Sequence, residues 1–191
     1  MTDINEKLEI LYDLLVDNFA ILEIKLKELI ANPERVNDTN KFAALLSDLK
    51  NPTFIDSLLL KISLSEKDDP WLSDFLYATI NLLDGSSVND EFDIPENLIG
   101  KLEVWVLDNK GEIAWKAASL LKFYESEKAE AIQLKKLEER DDFFLTYVEC
   151  ILGLVHYNKD KHLELVKQIS SDNTRDEKLR EFAEGVIKNY G

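Results

Sequence analysis

Glycine and proline are scarce in this sequence, which has six Gly and four Pro among 191 residues. An all-β fold needs many turns, and these two residues make most of them. The scarcity therefore favours an all-α fold. Cysteine is scarcer still, because Cys150 is the only one and cannot form an internal disulfide. A lone cysteine is typical of a protein kept in a reducing compartment, so we expect a cytoplasmic protein.

Long apolar runs are also missing. The longest uncharged stretches, 75–83 and 150–158, are about half of the roughly 20 residues that a membrane-spanning helix needs. The N-terminus has no basic segment followed by an apolar core, so it does not predict a signal peptide. We expect no contact with a membrane.

Familiar catalytic motifs are absent as well. The sequence has no Gly-rich phosphate loop, no nucleophile elbow and no HExxH motif. His156 and His162 do not share a helix face, so we expect surface or capping roles for them. Residues 89–93 resemble the start of a calcium loop, but Gly100 stands where the bidentate Glu is needed. Cys150 lies on an apolar stripe and is expected to be buried. We therefore expect no enzyme activity, no cofactor, no metal and no small-molecule substrate.

Basic residues are missing from one stretch, residues 68–100, which contains eight acids and no Lys or Arg. The whole chain has 38 acids and 23 basic residues, so this stretch carries 8 of the 15 net negative charges. Such a field attracts a cationic protein and repels nucleic acid and anionic lipid. The alternative is a solvated acidic loop that only aids solubility.

The stretch also contains an aromatic residue, Trp71, beside two acids. Aromatic anchors surrounded by charge are typical of protein-binding hot spots. The alternative is a first-turn residue that packs on the next helix. The residues that we predict to bind a partner are Asp68, Asp69, Trp71, Asp90, Glu91, Asp93 and Glu96. The next choice is the acidic turn from Glu138 to Asp142.

Apolar residues spaced three or four apart predict a long N-terminal helix over residues 3–31. Its main stripe is Ile4, Leu8, Leu11, Leu15, Phe19, Leu22, Leu26 and Leu29, and a second stripe is Ile10, Leu14, Ile21 and Ile24. Two stripes indicate contacts on more than one side of this helix.

Capping residues predict where the following helices begin and end. Asp38 and Ser126 are expected to cap helices, and the 51–53 segment restarts the chain after the second helix. Asp69 and Pro70 predict the start of another helix, and Gly85 its left-handed end. A long acidic loop follows. Residues 95–107 then predict a helix, although 103–107 could instead form a strand. Asp141 or Asp142 is expected to cap a helix ending near Val155, a short helix covers 161–169, and the 174–177 segment predicts a capping box.

The C-terminal half contains an internal repeat. Residues 117–124 align with 183–190, and 148–152 fall in the same register, which gives spacings of 31 and 35 residues. Each aligned helix has a small residue (Ser119, Cys150, Gly185) where we expect a neighbouring helix to approach closely. We also expect Leu121, Ile151, Leu152 and Ile187 to be buried. A two-helix repeat of this length is typical of an α-solenoid.

Residues 111–191 resemble degenerate HEAT-type repeats, on the aligned helices described above. The resemblance implies a right-handed solenoid-like stack of antiparallel helix pairs. In that arrangement residues 1–191 form one domain, with less regular helices and the acidic loop in 1–94 and HEAT-like pairs in 95–191. It also implies a scaffold that binds another macromolecule rather than an enzyme.

A small, acidic, helical binding protein is similar in type to the immunity proteins that bacteria make against their own contact-delivered toxins. That similarity implies a cationic toxin domain as partner, commonly a nuclease whose nucleic-acid groove the acidic protein covers. Two alternatives remain. One is a general adaptor or scaffold without a toxin partner, and the other is a helical-repeat enzyme or chaperone for a tetrapyrrole.

Overall fold

The computed structural model describes residues 4–86, 92, 95, 97–140 and 142–191, and the side chains from residue 18 onward. These residues form nine α-helices and two short 3-10 helices, at Pro33–Arg35 and Pro52–Phe54, and include no strand. The all-α prediction is confirmed, and 103–107 is helical. The helices are α1 Ile4–Ala31, α2 Thr39–Leu49, α3 Ile55–Leu64, α4 Leu72–Asp84, α5 Leu98–Leu107, α6 Glu112–Leu121, α7 Glu127–Glu138, α8 Phe144–Ser171 and α9 Glu177–Tyr190.

Two of the predicted caps are confirmed. The Asp38 side chain accepts a hydrogen bond from the Lys41 amide, and the Ser126 side chain accepts one from the Ala129 amide. These bonds satisfy backbone donors that have no partner inside a helix.

Three predicted starts are wrong. Asp69 accepts a hydrogen bond from the Glu66 amide, 2.8 Å away, so its carboxylate stabilises the preceding turn and α4 begins at Leu72. The Asp142 carboxylate bonds to Lys136 and to the Gly111 amide, and α8 begins after Phe143 without a side-chain cap. The capping box also fails, because Thr174 bonds to Asp172 and Asp176 caps α9 instead.

The prediction for Gly85 is also wrong. Its φ of −92° is right-handed, so any residue could adopt this backbone conformation. The predicted helices around 144–155 and 161–169 are the two halves of α8, which is interrupted at Asn158, whose φ is −155°. The Asn158 side chain accepts from the Lys161 amide, 3.1 Å away, as the cap of the second half.

The helices contact one another in two series. One series runs α2, α4, α6 and α8, in which each helix contacts the next, and the other runs α3, α5 and α7. Hydrogen bonds join α2 and α4, neighbours in the first series, at similar sequence separations. Thr39 donates to Asp74 over 2.5 Å, 35 residues away, and Asn81 donates to Ser47 over 3.3 Å, 34 residues away.

The register of the C-terminal repeat agrees in part with the burial. Leu121 and Ile151 are fully buried, as predicted, but Leu152 and Ile187 are only half-buried. The close approach predicted at Gly185 is wrong, because a Cβ there would meet no atom within 4 Å. On α8 a close approach occurs at Gly153, about one turn after Cys150. A Cβ on Gly153 would overlap the side chain of Gln133 on α7.

Candidate protein-binding surface

Three of the predicted binding residues lie in the turn between α3 and α4, residues 65–71, which we call the α3–α4 turn. Asp68 is exposed, while Asp69 and Trp71 are half-buried. The other four, Asp90, Glu91, Asp93 and Glu96, lie outside the described residues. The structure therefore brings Asp68, Asp69 and Trp71 together in one turn.

Trp71 is held by two contacts within this turn and α3. Its Nε1 donates to Ser65 Oγ over 3.3 Å, and Lys61 Nζ lies 5.1 Å from the ring centroid. The ring also packs against the hydrophobic core. The indole thus has the structural packing that was the alternative interpretation, and its role as an anchor stays a prediction.

Lysines from neighbouring helices lie close to the acids of the turn. Glu66 pairs with Lys101 of α5 over 3.3 Å, and Lys101 Nζ also donates to the Ser65 carbonyl over 2.5 Å. Lys61 and Lys67 add two more positive charges. The charge of Glu66 is therefore paired with Lys101, while Lys61 lies over the Trp71 ring.

The residues that flank the rest of the acidic stretch are anchored at opposite ends of α4. Ser86 donates to the Leu83 carbonyl at the last turn of α4. Asn97 donates to the Ser63 carbonyl over 3.3 Å, beside the α3–α4 turn. Since α4 has 13 residues, these anchors are separated by a helix of about 20 Å.

The predicted second choice, the turn from Glu138 to Asp142, is an internal ion-pair cluster. Lys136 and Asp142 have fully buried side chains and their charged atoms lie 2.7 Å apart. The Asp142 carboxylate also accepts from the amides of Gly111 and Phe143, and Lys136 pairs with Glu139 as well. Burial opposes the charge of Lys136, but its bonds to Asp142 and Glu139 outweigh that effect and raise its pKa.

The C-terminal end of α7 in the same cluster is capped by arginine. The Arg175 guanidinium donates to the carbonyls of Leu137 and Glu139, and Arg140 donates to the carbonyls of residues 137–139. These bonds satisfy carbonyls that the helix leaves without partners. The Asp142 side chain has no exposed surface to offer a partner, and Asp141 lies outside the described residues.

His162 is buried, so the predicted surface or capping role is wrong for this residue. Its Nε2 lies 2.5 Å from the Glu130 carboxylate, and Lys161 Nζ lies 2.6 Å from the same oxygen. The hydrogen bond from Lys161, followed by that from His162, lowers the pKa of Glu130. His156 is exposed and lies 3.6 Å from Glu125, which fits the prediction. Cys150 is buried as expected, and burial raises the pKa of its thiol.

The sequence did not reveal a groove at the C-terminal ends of α4 and α6. Two cavities of about 490 and 390 Å³ share Asp84 in their walls. Lys122 crosses this region, with Nζ 3.2 Å from Asp84 and 3.5 Å from Glu149. Lys122 follows Asp84 by 38 positions and precedes Glu149 by 27, so only their common helical register could have linked them.

No protein-family model, curated protein or solved structure matches this chain. Within the described ranges, no group of three or more His, Cys, Asp or Glu side chains is arranged to hold a metal ion. None of the described helices is long and apolar enough to cross a membrane.

Proposed function

We propose that this chain is an acidic protein-binding inhibitor, and specifically an immunity protein that neutralises a cationic toxin domain in the cytoplasm. The observation that carries the proposal is the acid surplus of residues 68–100, eight acids without one basic residue. Binding there would cover the active site or nucleic-acid groove of a nuclease, because a groove that binds phosphates is itself positively charged.

The uneven distribution of charge supports this site over a general solubility role. Residues 101–140, which follow directly, contain eight acids and eight basic residues and are neutral overall. Within them, Glu103, Glu112 and Glu139 pair with lysines. Selection for solubility alone would spread the negative charge, whereas this chain concentrates it in one stretch.

The contacts among helices support a scaffold for binding. Thr39, at the start of α2, bonds to Asp74 near the start of α4, and Asn81, near the end of α4, bonds to Ser47 near the end of α2. These two helices therefore run in the same direction. Gly111 with Asp142 and Glu130 with His162 give similar separations, 31 and 32 residues, further along the chain. These relations fit a right-handed HEAT-like stack of antiparallel helix pairs, which presents an extended surface to a partner.

The proposed site works through long-range electrostatics first and contacts second. Concentrated charge speeds the encounter with an oppositely charged protein, and salt screens that effect over about 8–10 Å. Trp71 would add a slow-dissociating contact once the complex has formed.

Affinity capture on the immobilised protein tests the proposal. We expect a cationic toxin domain to be retained, to elute as the salt concentration rises, and to lose its nuclease activity in the complex. Co-expression should protect cells from that domain. The variant that tests the site has Asp90, Glu91 and Asp93 changed to Lys, and it should protect poorly. Retention of a housekeeping assembly with no effect on toxicity would favour the adaptor alternative and overturn the proposal.

A further inference from the structure

The cavity of about 390 Å³ beside Lys122, which we call the Lys122 cavity, has mostly apolar walls. These walls come from three places in the chain. Phe123 follows α6, Leu152 and Val155 lie on the first half of α8, and Tyr190 ends α9. Small-ligand sites are commonly about 300–1,000 Å³ in volume and mainly apolar, with a few polar groups that orient the ligand. The Lys122 cavity has the size and the lining of such a site.

The apolar walls keep part of their surface accessible. Phe123 and Leu152 are half-buried, each packed against the hydrophobic core on one side, and Tyr190 is 47% exposed. The apolar body of a ligand in the cavity would remove this surface from water, which is favourable.

The polar groups of the cavity are mainly hydrogen-bond donors. Lys122, His156 and Lys159 line it, together with the acid Asp84. The Lys122 side chain is only 19% exposed, and its Nζ lies 3.2 Å from Asp84 and 3.5 Å from Glu149. An ammonium group has three N–H donors, so one bond to each carboxylate leaves a third donor for a ligand.

Lys159 supplies a positive charge that is not balanced. Within the described ranges it has no ion pair or hydrogen bond, whereas two carboxylates lie beside Lys122 and Glu125 lies 3.6 Å from His156. The helix rises ~10 Å from Glu149 to His156, at ~1.5 Å per residue, which exceeds a Debye length of about 8 Å at physiological salt. The end of the cavity at His156 and Lys159 is therefore separated from the acids at Lys122.

We propose that the Lys122 cavity binds a small organic anion, a carboxylate carried on an alkyl or aryl body. The body lies on Phe123, Leu152 and Tyr190, and the carboxylate accepts hydrogen bonds at the end formed by His156 and Lys159. Such a ligand is complementary to the cavity, because a charge-assisted hydrogen bond from an unpaired cation is among the strong ones. The described residues of the predicted protein-binding surface do not line this cavity, so the anion would bind independently of the proposed partner.

Isothermal titration calorimetry with hexanoate, octanoate and phenylbutyrate tests the proposal. We expect saturable binding of one carboxylate per chain, tighter for octanoate than for hexanoate because the longer body covers more apolar surface. Octanamide and phenylbutyramide keep the same bodies and lose the charge, so each should bind roughly tenfold more weakly than its acid.

A pair of lysine variants locates the site. Lys159→Gln removes the unpaired charge and should weaken octanoate binding roughly fivefold to tenfold. The matched control, Lys167→Gln, makes the same change in charge at an exposed position on the second half of α8 and should leave binding unchanged. Circular dichroism checks that both variants are folded. The proposal is overturned if none of the three carboxylates shows saturable binding at millimolar concentration, if the amides bind as tightly as the acids, or if both lysine variants weaken binding equally.

Discussion

The α3–α4 turn and the α7–α8 junction, residues 138–142, are both acidic in sequence, but their acidic side chains differ in burial and in hydrogen bonding. At the junction, the Asp142 side chain is fully buried against Lys136 and accepts hydrogen bonds from two backbone amides. In the turn, Asp68 is exposed and the Asp69 carboxylate accepts a hydrogen bond from the Glu66 amide of the same turn. The difference is the basic partner. Lys136 precedes Asp142 by six residues on the helix that ends at the junction, while no basic residue stands between Asp68 and Gly100.

Removing the cation from the junction should have the largest effect on stability. Lys136→Met leaves the Asp142 carboxylate buried without its partner, and such losses cost about 3–5 kcal/mol. We expect a matching decrease in the free energy of unfolding, measured by urea denaturation. The control is Lys135→Met, at an exposed neighbouring position, which should change stability by less than about 0.5 kcal/mol.

A double variant sharpens this result. Lys136→Met with Asp142→Asn removes both charges, so it should recover part of the stability that the single variant loses. Equal losses in the single and double variants would show that the buried carboxylate is not the source of the cost.

Truncation in the core of the repeat should have the next largest effect. Leu121 and Ile151 are fully buried, so Ala at either position should cost about 2–5 kcal/mol. Leu152 and Ile187 occupy the same register position as Leu121 but are half-buried, so Ala there should cost clearly less. Equal losses at all four positions would mean that the register, and not exposure, decides the cost.

Acid titration of the Glu130 cluster should have a smaller effect. Contact with Lys161 and His162 lowers the pKa of Glu130 below its ordinary value of 4.5. A lowered pKa means that the native state favours the ionised form, so this stabilisation is present above pH 4.5 and is lost as the pH falls through the folded-state pKa.

The matching variant is Glu130→Gln. We expect it to be less stable than the wild type at pH 7, and the difference should shrink below about pH 4 as the wild-type carboxylate is protonated. Thermal unfolding across this pH range measures the effect. A difference that stays constant with pH would show that the ionised carboxylate is not responsible.

The sequence predicted the helices because apolar periodicity and local caps act within a few residues. It predicted α1 to within one residue, and the caps at Asp38 and Ser126, for this reason. The sequence-based predictions were wrong where a side chain bonds to a group on another helix or loop. Asp142 was predicted to cap a helix, but Gly111 and Lys136 engage it, and the spacing of two histidines gave no sign that His162 lies against Glu130.

Contacts between residues far apart in the sequence also affect the predicted binding site. An acid count along the chain cannot show that Lys101, which follows the acidic stretch directly, returns to pair with Glu66, or that Lys61 lies against Trp71. The local turn is therefore less acidic than the sequence indicates. The groove beside Asp84 was missed because its members come from different helices.

Charge reversal at one exposed acid in each region tests the comparison with the smallest effect on stability. Asp68→Lys in the α3–α4 turn and Glu138→Lys at the end of α7 make the same change in charge, both at exposed positions. Each should change the free energy of unfolding by less than about 0.5 kcal/mol. If the acidic stretch steers a cationic partner, Asp68→Lys should slow association roughly threefold to tenfold at low salt, while Glu138→Lys should not. Surface plasmon resonance with the captured partner measures both rates, and the difference should disappear in high salt because the Debye length shrinks to about 3 Å at 1 M. Equal slowing by both variants would mean that the partner responds to net charge alone, and the acidic stretch would then be a feature of solubility.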